Sequence, residues 1–436
     1  MKIHIFTFLF LSFVYSTTLG QISDFANTLT QGVKVTDIET DSIGNIYSTG
    51  IVNTNSFIDL ATPNQSPYIV GRALGMGLYL QKMTTNGNLI WGKLLSIGRF
   101  SNLGNVEVEV SDQGDIYIAG NYSRAEYFNT PSGRIDTLVP DPLTTFKSDA
   151  GFLLKLNSLG HLQWVQNVGA RITRMKLGPN DNIHIMGAFR GRCQFDPTSG
   201  SAIYDTNGGA TFYTYLSKFS ANGSFIWNNV FEGPVPYPID IAVDRLGYIY
   251  WGGNGFTNLD LDPGPDTVYI NSRDMFISKY DTSGNFVWVK HTTRFTGTIG
   301  NTVYRGGGAT FYKLALDKND NIITSGIYNA GADFGMNSDT LVLGSYSRHT
   351  INSNRSAKDD MFIAKYDSAG NVSWAYGAGS RQYEYLTSLT TDEEGSIYAS
   401  GHTSGNGNFN IYYFDVDPIG PGKRNSFAGD VGISQY

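Results

Sequence analysis

Apolar and polar residues alternate in short segments along the chain, and clusters of Asp, Asn and Gly separate the segments. A period of two residues predicts β-strands with one buried face. Two such segments joined by an Asp/Gly/Asn turn predict a β-hairpin. The pattern therefore predicts an all-β protein, and a content of 51 Gly and 41% hydrophobic residues agrees with a turn-rich fold that buries a large core.

Two hairpins recur along the chain. The first has a Lys, a Gly five positions later and a Trp four positions after that, and it starts at Lys82, Lys155, Lys218, Lys279 and Lys365. The second alternates with the first and ends at Gly50, Gly120, Gly187, Gly253, Gly326 and Gly401. Two hairpins supply four strands, so each repeat predicts one four-stranded blade with strands A to D.

The strand count predicts a closed ring. There are six A/B hairpins and six C strands, the last being Asp430 to Tyr436, but only five D strands contain the Trp. The segment Phe25 to Gly32 precedes the first A strand and matches a D strand in spacing. We therefore expect a six-bladed β-propeller of four-stranded blades, closed by the N-terminal strand pairing with the C-terminal blade. The alternative is an open array of repeats.

The N-terminal residues 1–20 resemble a secretory signal peptide. Lys2 is followed by an apolar run and then by the small residues Thr18 and Gly20. The apolar run is too short for a membrane span, and no second candidate follows. The prediction is a secreted chain, extracellular, periplasmic or on the cell surface, with residues 21–436 forming a single propeller domain and a monomer.

The net charge argues against a nucleic-acid partner, and the cysteine content argues against disulfides. The formal charge of −7 makes nucleic acid an unfavourable partner. Cys193 is the only cysteine, so no internal disulfide forms, and it is expected to be a small buried residue.

The repeats resemble the SBBP-type β-propeller repeats of secreted bacterial proteins, and the order of "AVDRLGYIY" followed by "KYDTSGN" is similar to an NHL-like blade. The resemblance covers almost the whole chain after residue 20. It implies the propeller fold, but the family shares no catalytic motif. The chain also lacks a nucleophile elbow, an HExxH zinc motif and a P-loop. The repeated Asp, Gly and Trp are interpreted as turn and packing residues.

Aligned A strands place one polar residue per blade beside the expected central channel. The candidate binding residues are Asp37, Glu107, Arg174, Asp240 and Lys313, with Ser388 in the sixth blade. A second tier two residues later contains Glu39, Glu109, Lys176, Ala242, Ala315 and Thr390. Two interpretations stay open: a set of ion pairs that neutralise each other, or a site for a small polar ligand, a sugar or a cation.

Closely spaced aspartates in the B–C loops suggest a calcium site. The candidate ligands are Asp260, Asp262 and Asp266 in "DLDPGPD", together with Asp415 and Asp417 in "FDVDPIGP". Calcium takes six to eight oxygen ligands. The alternative is that Asp-Pro-Gly sequences make tight turns without a cofactor.

Two functions are compatible with this sequence. In the first, an exported binding module holds a glycan or protein ligand on its long B–C loops, where aromatic residues are available at Tyr122, Tyr127, Phe128, Phe256, Tyr328, Tyr412 and Tyr413. In the second, a six-bladed propeller enzyme, a lactonase-like hydrolase or a polysaccharide lyase, uses a metal in the central channel. The first is favoured, because no convergent catalytic residues are apparent.

Overall fold

The computed structural model describes residues 33–52, 57–59, 69–72, 77–96, 106–123, 125–129, 135–139, 150–196, 200, 202–206, 212–232, 240–255, 259–270, 274–299, 302–336, 340–344, 359–379, 383–392, 395–405, 408–415 and 432–434. They form strands and turns, with one 3-10 turn at Pro179–Asp181. The all-β prediction is confirmed for these residues. The chain divides into two compact units, residues 1–228 and 229–436.

The first unit contains three four-stranded antiparallel sheets, numbered 1 to 3, and three short hairpins. Its strands are β1 (Val33–Thr40), β2 (Ile46–Val52), β3 (Phe57–Asp59), β4 (Ile69–Arg72), β5 (Gly77–Met83), β6 (Leu89–Leu94), β7 (Glu107–Val110), β8 (Ile116–Tyr122), β9 (Glu126–Asn129), β10 (Ile135–Leu138), β11 (Ala150–Leu156), β12 (Leu162–Val168), β13 (Arg171–Gly178), β14 (Asn182–Phe189), β15 (Arg192–Gln194), β16 (Ile203–Asp205), β17 (Tyr213–Phe219) and β18 (Phe225–Phe231).

The second unit contains sheets 4, 5 and 6 with smaller pairs. Its strands are β19 (Asp240–Val243), β20 (Ile249–Asn254), β21 (Leu259–Asp260), β22 (Tyr269–Ile270), β23 (Met275–Tyr280), β24 (Phe286–His291), β25 (Thr293–Arg294), β26 (Thr296–Ile299), β27 (Thr302–Arg305), β28 (Ala309–Leu316), β29 (Ile322–Tyr328), β30 (Gly331–Asp333), β31 (Val342–Gly344), β32 (Asp360–Tyr366), β33 (Val372–Gly379), β34 (Tyr383–Thr391), β35 (Ile397–Gly405), β36 (Asn408–Asp415) and β37 (Gly432–Ser434).

Sheet 1 is β1-β2-β5-β6, sheet 2 is β7-β8-β11-β12, sheet 3 is β13-β14-β17-β18, sheet 4 is β19-β20-β23-β24, sheet 5 is β28-β29-β32-β33 with β37 at its edge, and sheet 6 is β34-β35-β36. Sheets 1 to 5 share one strand order. In each, four strands pair in chain order, as in β1-β2-β5-β6, and a short hairpin such as β3-β4 is inserted between the second and third strands. This order is that of a propeller blade. The inserted hairpins, which correspond to the long B–C loops of the sequence, emerge at the end of each sheet opposite to the short turns.

The short turns are stabilised as the sequence predicts. In the first turn of sheet 1, Asp41 Oδ1 accepts a hydrogen bond from the backbone N–H of Asn45 at 2.8 Å. Gly44 lies between them with φ of 84°, a left-handed conformation that favours glycine. In sheets 3 and 5 the residues directly before the second strand's Asn are Asp181 and Asp320, with φ of 54° and 58°. Asp tolerates the left-handed region better than most side chains, so it can replace glycine at this position.

The repeated Trp packs against the next sheet within each unit. A Cβ placed on Gly160 of sheet 2 would lie 2.9 Å from Trp91 Cη2 of sheet 1, and one on Gly370 of sheet 5 would lie 3.1 Å from the same atom of Trp288. Lys93, two residues after Trp91, donates to the carbonyl oxygens of Leu159 and Gly160 at 2.7 and 2.9 Å. The Trp therefore fills the space between neighbouring sheets, as predicted, and only glycine fits opposite it.

The C-terminal residues differ from the prediction. Sheet 6 has three strands, and β36 pairs with β35 in the position predicted for Asp430 to Tyr436. The segment Gly432–Ser434 instead pairs with Gly377–Gly379 on the outer edge of sheet 5. The C-strand assignment was therefore wrong. Its reason is local: only Asn406 and Gly407, a pair typical of tight hairpins, separate β35 from the apolar segment of β36. The predicted closing strand, Phe25 to Gly32, lies outside the described residues.

Candidate functional site

The candidate binding residues lie on the first strand of their sheets, and Asp37, Arg174 and Lys313 directly follow a β-bulge. Register shifts occur between Val35 and Asp37 in sheet 1, with equivalent shifts in sheets 3, 5 and 6. The bulge residues Thr36 and Thr173 donate their hydroxyls to the carbonyls of Thr49 and Met186 at 3.3 and 3.0 Å. A bulge inserts one residue and redirects the following side chain. It therefore sets the direction of Asp37 and Arg174.

Carboxylates at this position connect one sheet to the next. Asp37 Oδ2 accepts the backbone N–H of Val108 at 2.9 Å, and Glu107 Oε2 accepts that of Met175 at 2.9 Å. In the second unit, Asp240 Oδ2 accepts the N–H of Leu314 at 3.0 Å. In all three cases the donor follows the equivalent polar residue of the next sheet. We refer to this bond as the inter-sheet link.

The basic candidates pair with these carboxylates. Arg174 Nη1 lies 3.1 Å from Glu107 Oε1, and Lys313 Nζ lies 3.9 Å from Asp240 Oδ2. The alternation of charge along the first strands thus produces ion pairs within each unit. A carboxylate that holds both a backbone N–H and a cation has its oxygens occupied, so Glu107 and Asp240 act first as structural groups.

The second tier is charged in the first unit only. Lys176 forms an ion pair with Glu109. Burial and the neighbouring Glu107 raise the pKa of Asp37 to about 8, and burial and the neighbouring Glu109 raise the pKa of Glu39 to about 7. Burial by itself lowers the pKa of Lys176, but the charges of Glu109 and Glu39 raise it well above its ordinary value. Asp37 and Glu39 therefore exchange protons near neutral pH, whereas Lys176 stays charged.

This arrangement suits structural pairing better than catalysis. Four carboxyl groups and two basic groups converge in the first unit, and protonation of Asp37 and Glu39 balances their charge. General acid–base catalysis needs an acid or base directed at a substrate, whereas Asp37 already accepts a backbone N–H and Glu39 accepts that of Thr40 at 2.9 Å. A role of Asp37, Glu107, Arg174, Asp240 and Lys313 in ligand binding stays a prediction.

The aspartates of the predicted calcium site in the hairpin β21-β22 act as turn acceptors. Asp260 Oδ1 accepts the N–H groups of Asp262 and Val268 at 3.1 and 2.8 Å, and Asp262 Oδ1 accepts that of Gly264 at 2.8 Å. Asp333 makes the same pair of bonds in sheet 5, to residues two and eight positions later. The sequence did not single out Asp333, although "ADFGMNSDTLVL" repeats the spacing.

The other predicted calcium ligands are dispersed. Asp266 is exposed at the tip of this hairpin, Asp415 ends β36 opposite Tyr398, and Asp417 lies outside the described residues. Among the residues that the structure describes, no group of three His, Cys, Asp or Glu side chains could hold a metal ion. Calcium binding stays a prediction, which a calorimetric titration of the purified protein at millimolar calcium tests.

The aromatic residues of the hairpin end divide into buried and exposed groups. Tyr122, Phe128 and Tyr328 are buried, so their prediction as a binding platform is wrong. Tyr122 donates its hydroxyl to Asn167 Oδ1 at 2.7 Å, and Phe128 packs against the ring of Phe152, since the hairpins fold back onto the sheets. Phe256 and the side chains of Tyr412 and Tyr413 lie outside the described part of the chain.

In the described parts of the inserted hairpins, four large apolar or aromatic side chains are exposed. Tyr127 is 43% exposed and Tyr269 54%, and the sequence singled out only the first of them. The aliphatic residues Val139 and Ile203 are exposed as well. Tyr269 pairs with Asp260 across its hairpin, so period-two alternation places Tyr269 outward and Ile270 inward.

None of the described residues forms a helix that is long and apolar enough to cross a membrane. No model of a known protein family matches the sequence. An uncharacterised WD repeat-containing protein, L264, from Acanthamoeba polyphaga mimivirus is 22% identical over an alignment of 435 residues. The alignment covers 86% of this chain but only 30% of the viral protein. The chain therefore spans less than a third of the length of that relative.

Two solved structures are similar over most of their length. A protein of unknown function from Bacteroides caccae matches 80% of this chain and 83% of its own, with 10% identity and a TM-score of 0.35. Virginiamycin B lyase from Staphylococcus aureus matches 85% of this chain and 93% of its own, with 10% identity and a TM-score of 0.33. The similarity to a WD-repeat protein and the repeated four-stranded sheets support a repeat protein of the β-propeller type.

Proposed function

We propose that this protein is an exported, non-enzymatic interaction module that binds a protein partner through the end of its sheets where the hairpins are inserted. The finer architecture belongs to the proposal: six blades, a ring closed by Phe25 to Gly32, and a leader at residues 1–20. The observation that carries it is a contrast between two sets of side chains. The first-strand acids Asp37, Glu107 and Asp240 are used between sheets, whereas Tyr127 and Tyr269 of the hairpins are exposed.

Tyrosine is suited to this role. It offers a large rigid contact area with a polar end and is enriched at protein interfaces. Aliphatic residues are also exposed at the short turns, at Ile43, Leu159 and Leu246. Those turns are nearly uniform from repeat to repeat, whereas the hairpins differ in length and sequence. Variation on a rigid scaffold is typical of a recognition surface.

Two other functions have less support. A metal-dependent hydrolase or lyase would need a ligand set, and among the described residues no such group occurs. A glycan ligand would also use Tyr127 and Tyr269, but a protein partner fits better, because the exposed aliphatic residues Val139 and Ile203 lie at the same end of their sheets.

Photocrosslinking at matched positions tests the proposal. A benzophenone amino acid replaces Tyr269 or Tyr127 at the hairpin end, and Leu246 or Leu159 at the short turns of the same units. In an extract of the cells that produce the protein, we expect a discrete crosslinked partner from Tyr269 and Tyr127 only. Crosslinks of equal yield from Leu246 and Leu159 would show that the hairpin end is not the interface. Binding on a glycan array without a crosslinked protein would favour the glycan alternative.

A further inference from the structure

The outer edge of sheet 5 pairs with a strand that does not belong to the repeat. β37 lies antiparallel to Gly377–Gly379, the last three residues of β33. Among the described residues, sheets 1 to 4 end with their fourth strand, so a blade is complete without such an addition. β33 runs from its short turn towards the end where the hairpin is inserted, and the pairing with β37 therefore lies at the hairpin end of the sheet.

In three other repeats, the chain just after the fourth strand contacts the inserted hairpin of the next sheet. After sheet 1, Ser96 forms a β-bridge with Phe128 in β9. After sheet 2, the N–H of Gly169 donates to the carbonyl oxygen of Gln194 in β15 at 3.0 Å. After sheet 4, Thr293–Arg294 pairs with β30. In these repeats the end of the fourth strand thus binds a backbone segment from elsewhere in the chain.

Sheet 6 supplies no inserted hairpin for sheet 5 to contact. The hairpin of a repeat lies between its second and third strands, but in sheet 6 these strands, β35 and β36, are separated only by Asn406 and Gly407. Two residues are too few for a further pair of strands. At sheet 5, β37 therefore takes the place that a neighbouring hairpin has in the three other repeats.

The described pairing of β37 with β33 relies on the backbone. Two of its three residue pairs contain a glycine, Gly379 opposite Gly432 and Gly377 opposite Ser434. Side-chain pairs across strands stabilise a sheet, and a glycine cannot form one. Packing inside sheet 5 requires Gly377, because a Cβ there would lie 2.2 Å from the hydroxyl oxygen of Tyr328. The edge therefore selects an extended backbone rather than particular side chains.

We infer that an extended segment of the protein partner adds to β33 at Gly377–Gly379, and that β37 occupies this edge until the partner displaces it. This inference rests on the proposed function, since the edge lies at the hairpin end of its sheet, as the exposed Tyr269 does. Main-chain hydrogen bonds to a sheet edge give an extended partner its affinity. An uncovered edge is a template for pairing with other chains, so β37 also protects the free protein from aggregation.

A peptide with the sequence of residues 430–436, DVGISQY, tests the edge without the partner. Gly432→Pro combined with Ile433→Pro removes β37 from the edge in the full chain. Neighbouring residues of a strand direct their N–H groups to opposite sides, so one of the two prolines replaces a donor of the ladder. Fluorescence anisotropy should show saturable binding of the labelled peptide to this variant, at least about tenfold tighter than to the unaltered chain, whose edge is occupied.

Two controls separate strand addition from unspecific binding. Gly432→Ala combined with Ile433→Ala keeps both N–H groups, so the peptide should bind this variant as weakly as it binds the unaltered chain. A peptide methylated on its backbone nitrogens cannot donate hydrogen bonds and should not bind the proline variant. Hydrogen exchange locates the contact, because the peptide should slow the exchange of Gly377–Gly379 in the proline variant.

Failure of the peptide to bind a folded proline variant, equal binding to all three proteins, or slower exchange at other strands only would each overturn the site. Dimers of the unaltered chain that the proline variant does not form would assign the edge to a second copy instead of the partner. If the proline variant does not fold, exchange of the unaltered chain decides. Exchange at Gly377–Gly379 as slow as in the centre of β33 would show that β37 does not leave the edge.

These measurements need no partner, so their failure is distinguishable from failure of the proposed function. If the crosslinks from Tyr269 persist while the peptide does not bind, the module binds a protein without strand addition. If the peptide binds but no crosslink forms, the edge accepts a strand and the proposed interface is wrong.

Discussion

The first strands of the two units share the inter-sheet link but differ in the residues of the second tier. In both units a carboxylate on one sheet accepts a backbone N–H from the next, at Asp37 and Glu107 in the first and at Asp240 in the second. The second tier differs. It is charged at Glu39, Glu109 and Lys176, but apolar at the equivalent positions Ala242 and Ala315.

The comparison indicates that the fold requires the inter-sheet link but not a charged second tier. The inter-sheet link satisfies a backbone donor that would otherwise be buried without a partner, so both units keep it. Among the described residues, the second tier accepts no backbone N–H from a neighbouring sheet; Glu39 accepts only that of the adjacent Thr40. It can be charged where opposite charges balance and apolar where they are absent. We expect the link to carry more stability than the tier beside it.

The largest effect is expected from transferring the charged tier into the second unit. Ala242 is 7% exposed, and Ala242→Glu buries a carboxylate beside Ala315, which supplies no cation. The free energy of unfolding should fall by about 3 kcal/mol. Adding Ala315→Lys recreates the arrangement of Glu109 and Lys176 and should recover at least about 1 kcal/mol. Urea denaturation of both single variants and the double variant measures this coupling. Strictly additive effects would contradict the claim that a charged second tier is tolerated only where opposite charges pair.

Loss of an inter-sheet link should have the next largest effect. Asp240→Ala leaves the N–H of Leu314, a buried residue, without its acceptor and Lys313 without its ion pair. We expect a loss of about 2 kcal/mol in the free energy of unfolding. Asp240→Asn keeps an oxygen that can accept the N–H, so it should lose less than half as much. If both substitutions cost the same, the ion pair rather than the backbone bond is what matters at Asp240.

The charged tier of the first unit should make stability depend on pH. The folded pKa values of Asp37 and Glu39, about 8 and about 7, lie above the ordinary values of 3.8 and 4.5. Their protonation therefore stabilises the folded state fully below pH 4, and this contribution is lost as the pH rises to 8. The decrease should be about 1 kcal/mol after solvent screening. Urea midpoints measured from pH 5 to 9 show it, and the double variant Asp37→Asn, Glu39→Gln should remove most of the slope. An unchanged slope in that variant would assign the pH dependence to other groups.

The smallest effect is expected at an exposed ion pair between the turns of sheets 4 and 5. Arg245 Nη2 lies 3.0 Å from Asp320 Oδ2, but the Arg245 side chain is 70% exposed. Solvent screens such a pair, so Arg245→Ala should leave the urea midpoint unchanged within error. A shift as large as that of Asp240→Ala would mean that sheets 4 and 5 are joined through their turns rather than through their first strands.

The sequence predicts the parts of the fold that repeat at a fixed spacing. Asp41, Gly44 and Trp91 lie in their predicted roles, because a turn acceptor, a left-handed residue and a packing side chain each depend on a few neighbouring residues. The polar first-strand positions were also found by aligning the turns. Pairing between their opposite charges was one of the two interpretations, but the backbone N–H groups that they accept were not predicted, because Asp37 and Val108 are 71 residues apart.

Other features depend on how segments fold back. The burial of Tyr122 and Phe128 follows from hairpins that lie against their sheets, which alternation of residue types does not reveal. The position of Gly432–Ser434 on sheet 5 depends on competition between strand edges, and the composition of the segment gives no preference for one edge.

The inter-sheet link has a direction, because the carboxylate always belongs to the earlier sheet and the N–H to the later one. Each such sheet supplies a carboxylate acceptor to the next sheet in the chain. The next sheet needs only a backbone N–H, which every residue except proline supplies. A duplicated repeat would thus meet its neighbours without matched side-chain changes on both sides. The first strands consequently allow such a chain to gain or lose repeats by recombination, while the hairpins of each new copy remain free to diverge.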